Sequence, residues 1–153
     1  MSETLREMCK TLRLAYVADI YETVDYDTPA QFLEAVFAEE FRKREAAKVQ
    51  RLIKKAKFLD SKNLASYEWH DQIRFPAHID QAGLSSLSFL EHQENVVLIG
   101  SPGTGKTHLA TDLGRKACEQ VYDVRFFRVS HLVEQLELAL KQDKLTAFRK
   151  RFE

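Results

Sequence analysis

The sequence predicts an α/β fold in two parts: a helical module over residues 1–75, then the first part of a three-layer α/β domain with parallel strands over residues 76–153. In the first part no glycine occurs before Gly83, and apolar residues recur at helical spacing. In the second part, β-prone runs alternate with helical patterns. Because strand–helix–strand units favour parallel pairing with helices on the sheet faces, this alternation predicts a layered α/β domain.

The helical module begins with a predicted helix over residues 4–23, whose apolar side is Leu5, Met8, Leu12, Tyr16 and Ile20. Residues 25–27 are expected to end it. A second helix is predicted to begin with Thr28 as N-cap, Pro29 in the first turn and Gln31 completing a capping box. It is expected to continue through Phe41 and into the basic stretch over residues 42–62. A less regular zone is expected over residues 60–80.

The second part contains two predicted strands, of which the first is nearly all apolar and is expected to be buried on both faces. The elements predicted here are, in order, a short helix or turn over residues 84–91, a strand over 95–99, a helix after Thr107, a strand over 124–129, an amphipathic helix capped by Ser130, and a helical tail over 145–153.

A glycine-rich segment follows the first predicted strand directly. Residues 100–107 read Gly-Ser-Pro-Gly-Thr-Gly-Lys-Thr, which fits the phosphate-binding pattern G-x-x-x-x-G-K-[ST]. Glycines let the backbone adopt positive φ and wrap a phosphate closely, so that backbone N–H groups point at the anion. Lys106 is placed for the β/γ-phosphates, and the Thr107 hydroxyl for Mg²⁺. The segment predicts a P-loop nucleotide site; the alternative is a tight glycine-rich turn without a ligand.

Opposite charges cancel over the whole chain, with 23 Lys and Arg against 23 Asp and Glu, but they are unevenly distributed. Residues 1–41 are acidic and residues 42–62 are basic. Within the basic stretch one helical face carries cations at i, i+4, i+7 and i+11, namely Arg44, Lys48, Arg51 and Lys55. These four residues, the basic row, are predicted to bind duplex DNA along a phosphate backbone. The alternative is a solvated helix face.

The remaining composition favours a cytoplasmic protein without membrane contact. No apolar run is long enough to span a bilayer, and charges occupy the N-terminal region where a secretory signal needs an apolar core. Cys9 and Cys118 belong to no C-x-x-C pair, so buried reduced thiols are predicted rather than a disulfide or a zinc site.

Several segments together resemble one family, the IstB-type transposition helper ATPases, which are relatives of the DnaC helicase loader among AAA+ ATPases. The resemblance rests on Gly-Ser-Pro-Gly-Thr-Gly-Lys-Thr-His-Leu-Ala at residues 100–110 and on the stretches over residues 117–127 and 132–136. The basic segment over residues 48–58 and Tyr67-Glu68-Trp69 also match the family's pattern. The resemblance runs over nearly the whole chain.

The resemblance implies an AAA+ fold and an ATP-binding accessory protein for DNA transposition that uses ATP and Mg²⁺. It implies duplex DNA and the transposase of the same element as partners, with homo-oligomers in the full-length family. The implied nucleotide-contacting residues are Gly100, Ser101, Pro102, Gly103, Thr104, Gly105, Lys106, Thr107 and His108, with Thr107 also on the metal. Alternatives are a DnaC-like helicase loader and an inactive helical interaction fragment.

The chain departs from the family pattern at two points. Position 121 is Val, where the family usually has Gly; because Val is strained at positive φ, a different turn or a longer helix is expected there. In addition, no apolar run ending in Asp-Glu follows the second predicted strand, and the sensor and arginine-finger segments have no match. A truncated family member is therefore expected, which binds ATP with little or no hydrolysis.

Overall fold

The computed structural model describes residues 3–58, 67, 69 and 73–152. The predictions for residues 60–66, for Glu68 and for residues 70–72 lie outside this set. The helices of the described residues are α1 Glu3–Thr11, α2 Val17–Ile20, α3 Pro29–Ala56, α4 Gln81–Ser86, α5 Ser88–Glu91, α6 Lys106–Glu119, α7 Val129–Lys141 and α8 Leu145–Arg149. None of these helices is long and apolar enough to cross a membrane.

The prediction of one helix over residues 4–23 is wrong, because two helices, α1 and α2, occupy this region. Arg13 has a φ of 57° and ends α1 in a left-handed turn. The Glu40 carboxylate of α3 then accepts hydrogen bonds from the backbone N–H groups at positions 15, 16 and 17, at 2.9, 2.6 and 2.9 Å. These N–H groups begin α2, so a buried carboxylate distant in sequence fixes the chain reversal that the periodicity did not show.

Helix α3 begins as predicted. The Thr28 side chain accepts a hydrogen bond from the Gln31 backbone N–H at 3.3 Å, and the Gln31 side chain accepts one from the Thr28 N–H at 3.0 Å. This reciprocal capping box, together with Pro29 in the first turn, is confirmed. The helix continues into the basic stretch, also as predicted, and ends at Ala56.

Two separate apolar clusters hold the described chain together. The first joins α1, α2 and α3 through Cys9, Val17, Ile20 and Val36. The second joins α4 and α6 through Leu84, Leu87, Leu109, Leu113 and Ala117, with Phe75, Leu98 and Val124 packed against it. Cys9 and Cys118 are buried free thiols, as predicted, and burial raises the pKa of the Cys118 thiol.

The C-terminal end of α3 connects the two parts. Ala56 is buried, and its carbonyl accepts a hydrogen bond from the Phe126 backbone N–H at 3.0 Å. The Phe58 ring approaches Gly114 of α6 so closely that a Cβ at position 114 would lie 2.8 Å from the ring atom Cε1. Helix α3 therefore docks directly against α6, which carries the glycine-rich loop at its N-terminus.

Neither predicted strand is formed among the described residues. Residues 95–99 exchange no backbone hydrogen bond with another described residue, and the side chains of Val97 and Ile99 are 76% and 91% exposed. Leu98, between them, packs on the core. Burial on both faces is therefore wrong for this run, whose backbone is not paired with a described segment. Residues 124–128 have no regular secondary structure either, and α7 begins at Val129.

The end of α6 differs from the expectation for Val121, which has a φ of 70°. The Val121 N–H donates to the Cys118 carbonyl at 2.9 Å, and the Tyr122 N–H donates to the Ala117 carbonyl at 2.9 Å. This pair of bonds is a Schellman motif, with Val in the left-handed position that Gly usually occupies. The helix is not lengthened; its end satisfies two carbonyls while Val121 is in a strained conformation.

Candidate functional site

The glycine-rich loop joins residues 95–99 to α6, and two of its glycines have positive φ. Gly103 has a φ of 83° and Gly105 has a φ of 80°. An added Cβ would meet nothing within 4 Å at Gly103, so the requirement for glycine there is conformational. At Gly100 the φ is ordinary, but a Cβ would lie 3.2 Å from the Thr104 hydroxyl oxygen. Glycine is therefore required at Gly103 by conformation and at Gly100 by close approach, and residues 100–104 are exposed.

The Lys106 side chain folds back over this loop. Its ammonium Nζ donates to the Ser101 carbonyl at 2.7 Å and contacts the Thr104 hydroxyl at 3.3 Å, while that hydroxyl donates to the same carbonyl at 2.9 Å. Both of these acceptors are neutral. Hydrogen bonds to an ionised acceptor are about twice as strong, so an anion in the loop would bind Lys106 more strongly than these groups do.

The first turn of α6 provides further donors. Gly105 is the N-cap residue and makes no side-chain hydrogen bond, which leaves the backbone N–H groups of the first turn without a side-chain acceptor. In this 14-residue helix the positive end of the dipole faces the loop. The Thr107 hydroxyl is on this turn and is exposed, where a nucleotide-bound cation could reach it.

The His108 side chain contacts two groups: the Asp112 carboxylate on its own helix and the ring of Tyr67, which is distant in sequence. Its Nε2 is 2.9 Å from the Oδ2 atom of Asp112, which is fully buried one turn later on α6. On the other side its ring packs edge-on against the Tyr67 ring, with centroids 5.2 Å apart. Tyr67 also covers Gly105, where a Cβ would lie 3.4 Å from the tyrosine ring. Contact between His108 and a nucleotide remains a prediction.

The sequence analysis did not predict that Asp112 and Tyr67 contact His108, or that Tyr67 packs on Gly105. The i, i+4 spacing of His108 and Asp112 was a readable signal for their pairing. Nothing in the local sequence indicated that Tyr67, far upstream, would pack on Gly105, although its segment was part of the family resemblance. Trp69 continues this contact, since its ring lies 5.1 Å from that of Tyr67.

No cluster of three or more His, Cys, Asp or Glu side chains that could hold a metal ion occurs in the described ranges. The donor set of the loop is otherwise suited to an anion: backbone N–H groups, one ammonium and one hydroxyl. These residues fit the phosphates of a nucleotide, whereas a Mg²⁺ ion would be held there through the phosphates and Thr107. Magnesium binding therefore stays a prediction.

The basic row lies on α3 as predicted, but its four members differ in surroundings. Arg44 donates to the Glu40 carboxylate at 2.6 Å and also to the Arg13 carbonyl. Lys55 donates to the Asp123 carboxylate at 2.5 Å and lowers the pKa of that acid. Lys48 and Arg51 are exposed, and neither forms an ion pair with a described residue. DNA binding by the row remains a prediction.

A family model described as IstB-like ATP binding protein matches residues 8–152. The chain belongs to this family. The IstB-like family assignment agrees with the resemblance seen in the sequence, and it implies an α/β fold, although the strand layer is not formed within the described part of the chain.

Curated relatives of the chain come from bacterial insertion sequences. It is 30% identical to the ATP-binding protein named for insertion sequence IS5376 of Geobacillus stearothermophilus, over 95% of this chain and 60% of that protein. It is 31% identical to that of IS21 from Pseudomonas aeruginosa, over 75% of this chain and 43% of the relative. Identity to Rv3427c of Mycobacterium tuberculosis is 29%, over 86% of this chain and 55% of the relative. The chain thus spans 60% or less of these IstB-like relatives.

Proposed function

We propose that this chain is an ATP-binding accessory protein of DNA transposition. The observation that carries the proposal is the loop over residues 100–107, which combines positive-φ glycines and the Lys106 ammonium with the N-terminal turn of α6. The names of the relatives, which link ATP binding with insertion sequences, support the same role. When ATP and Mg²⁺ are bound, Lys106 and the backbone N–H groups hold the phosphates and Thr107 approaches the cation.

Nucleotide binding is tested by titrating the full chain with a fluorescent ATP analogue. Lys106→Ala removes a charged hydrogen bond worth about 1.5–3 kcal/mol, which corresponds to a loss of affinity of roughly 10- to 150-fold. The matched control is Lys141→Ala, which removes an exposed lysine near the end of α7. Equal affinities of the wild-type and Lys106→Ala chains would remove the loop from the proposal.

The proposal is for binding with little or no turnover. The loop and the first turn of α6 provide hydrogen-bond donors and one cation, whereas phosphoryl transfer also requires a clamped metal and a positioned water. Steady phosphate release from ATP by the purified chain, abolished by Lys106→Ala, would contradict this part of the proposal and leave nucleotide binding intact.

Duplex DNA is the proposed second ligand, and the basic row is its proposed site. Lys48 and Arg51 carry most of the effect, because Arg44 and Lys55 already share their charge with carboxylates. Each neutralised phosphate contributes about −0.9 to the slope of log affinity against log salt. Lys48→Ala with Arg51→Ala is therefore expected to flatten this slope by about 2 units, whereas Lys10→Ala on α1 leaves it unchanged.

The transposase of the same element is the proposed protein partner, and homo-oligomers are proposed for the full-length protein. Both proposals are extrapolated from the IstB-like family to which the chain belongs. Immobilised transposase that retains the chain, while a replicative helicase does not, is the expected result. Retention by the helicase instead would favour a role in helicase loading.

A further inference from the structure

The N-terminal half of α3 exposes three large apolar side chains in a row. Leu33, Phe37 and Phe41 are 52%, 43% and 68% exposed and follow each other at i, i+4 and i+8. The same half of the helix buries Val36 and Glu40 on the adjacent side of the helix, so the core is built from that side and leaves this row exposed. Single exposed apolar residues are common, but an aligned row with two aromatic rings is typical of a surface that binds a helix.

An open groove of about 540 Å³ lies beside this apolar row. It is lined by Asp25, Tyr26, Asp27, Gln31, Glu34, Ala35 and Ala38. Glu34 lies one turn before Phe37, and Ala38 lies one turn before Phe41, so the groove and the row share an edge. The small Ala side chains leave room against the helix backbone. Among the described residues, no cation pairs with the carboxylates of this groove.

We propose that the apolar row and the acidic groove form one docking surface for a cationic amphipathic helix of a partner protein, with Lys or Arg beside its apolar residues. Charge complementarity selects this occupant, because uncompensated carboxylates next to apolar side chains attract cations and repel other acids. The same carboxylates repel a nucleic-acid backbone, so duplex DNA is directed to the basic row in the other half of α3. The inference rests on the proposed function only in calling the partner a transposition protein.

The test uses the full chain and a defined probe, a fluorescein-labelled helical peptide of Leu and Lys in amphipathic order, followed by fluorescence anisotropy. The matched probe has Glu in place of every Lys. The Lys peptide is expected to bind at least about tenfold more tightly than the Glu peptide, with affinity falling as salt is raised. The double variant Phe37→Ala with Phe41→Ala is expected to lower the affinity for the Lys peptide by about tenfold or more, since aromatic anchors dominate such interfaces. Glu34→Lys is also expected to lower this affinity.

The control variant, Val133→Ala with Leu136→Ala, removes a second pair of exposed apolar residues on α7 and is expected to bind the Lys peptide as the wild type does. Circular dichroism confirms that each variant is folded. Equal binding of the two peptides, or unchanged binding by the Phe37 and Phe41 variant, overturns the proposal. Loss of self-association in that variant, with peptide binding intact, would assign the row to a second copy. None of these outcomes depends on Lys106, so a failure here is distinguishable from failure of the nucleotide site.

Discussion

The left-handed Val121 at the end of α6 leads to a quantitative prediction. A non-glycine residue at positive φ costs about 1–2 kcal/mol, and a β-branched side chain lies at the upper end. Val121→Ala keeps the Cβ and so retains the lower end of this cost, whereas Val121→Gly removes the cost. We expect the Gly variant to exceed the Ala variant in free energy of unfolding by about 1 kcal/mol, which for a chain of this size is roughly 2–4 °C in Tm.

The control is the same pair of substitutions two residues earlier. Glu119 is exposed and lies in the last turn of α6, with no positive φ. There Gly is less favourable than Ala by about 0.8–1 kcal/mol, so the order of the two variants reverses between positions 119 and 121. Urea unfolding followed by circular dichroism measures both differences. An Ala variant at position 121 that is as stable as the Gly variant, or more stable, would refute the assignment of strain to Val121.

Two further predictions concern the contacts of Glu40 and of Gly114. Burial alone would raise the pKa of Glu40, but hydrogen bonds from Arg44 and from the backbone N–H groups that begin α2 outweigh it and lower that pKa. The stabilising effect of Glu40 is therefore complete above its unfolded-state pKa and is lost as pH falls through the folded one, and Glu40→Gln should flatten the pH dependence of Tm in acid. Gly114→Ala would place a Cβ 2.8 Å from the Phe58 ring, so unfolding free energy should fall by about 1–3 kcal/mol and Phe58→Leu should restore part of it.

Local signals predicted the parts of this chain that depend on local chemistry. The capping box of Thr28 and Gln31 uses atoms within one turn, and the loop at residues 100–107 is specified by the conformational freedom of glycine. Both could be read from spacing alone, as could the continuation of α3 into the basic stretch. The helix break before Val17 could not, because it depends on a carboxylate from a different helix.

The strand predictions show the same limit from the other side. An apolar run such as residues 95–99 is compatible with a strand, but it becomes one only when a neighbouring segment forms backbone hydrogen bonds with it. Residues 95–99 have no backbone hydrogen bond to another described residue, and Ile99 stays exposed. Val121 illustrates a third limit, since a favourable pair of capping hydrogen bonds can hold a residue in a conformation that its own side chain disfavours.

Helix α3 packs against both parts of the molecule and carries both proposed binding surfaces. Its first half buries Val36 and Glu40 against α1 and α2, and its last turn buries Ala56 near α6. At roughly 100° per residue these buried positions lie on different sides of the helix. The sector between them holds Leu33, Phe37 and Phe41 and then the basic row, so one continuous exposed face changes from apolar to cationic along its length. Because both ends of α3 are fixed by packing, the two proposed ligands of this face would be bound by a single helix. That helix contacts α6, which follows the glycine-rich loop.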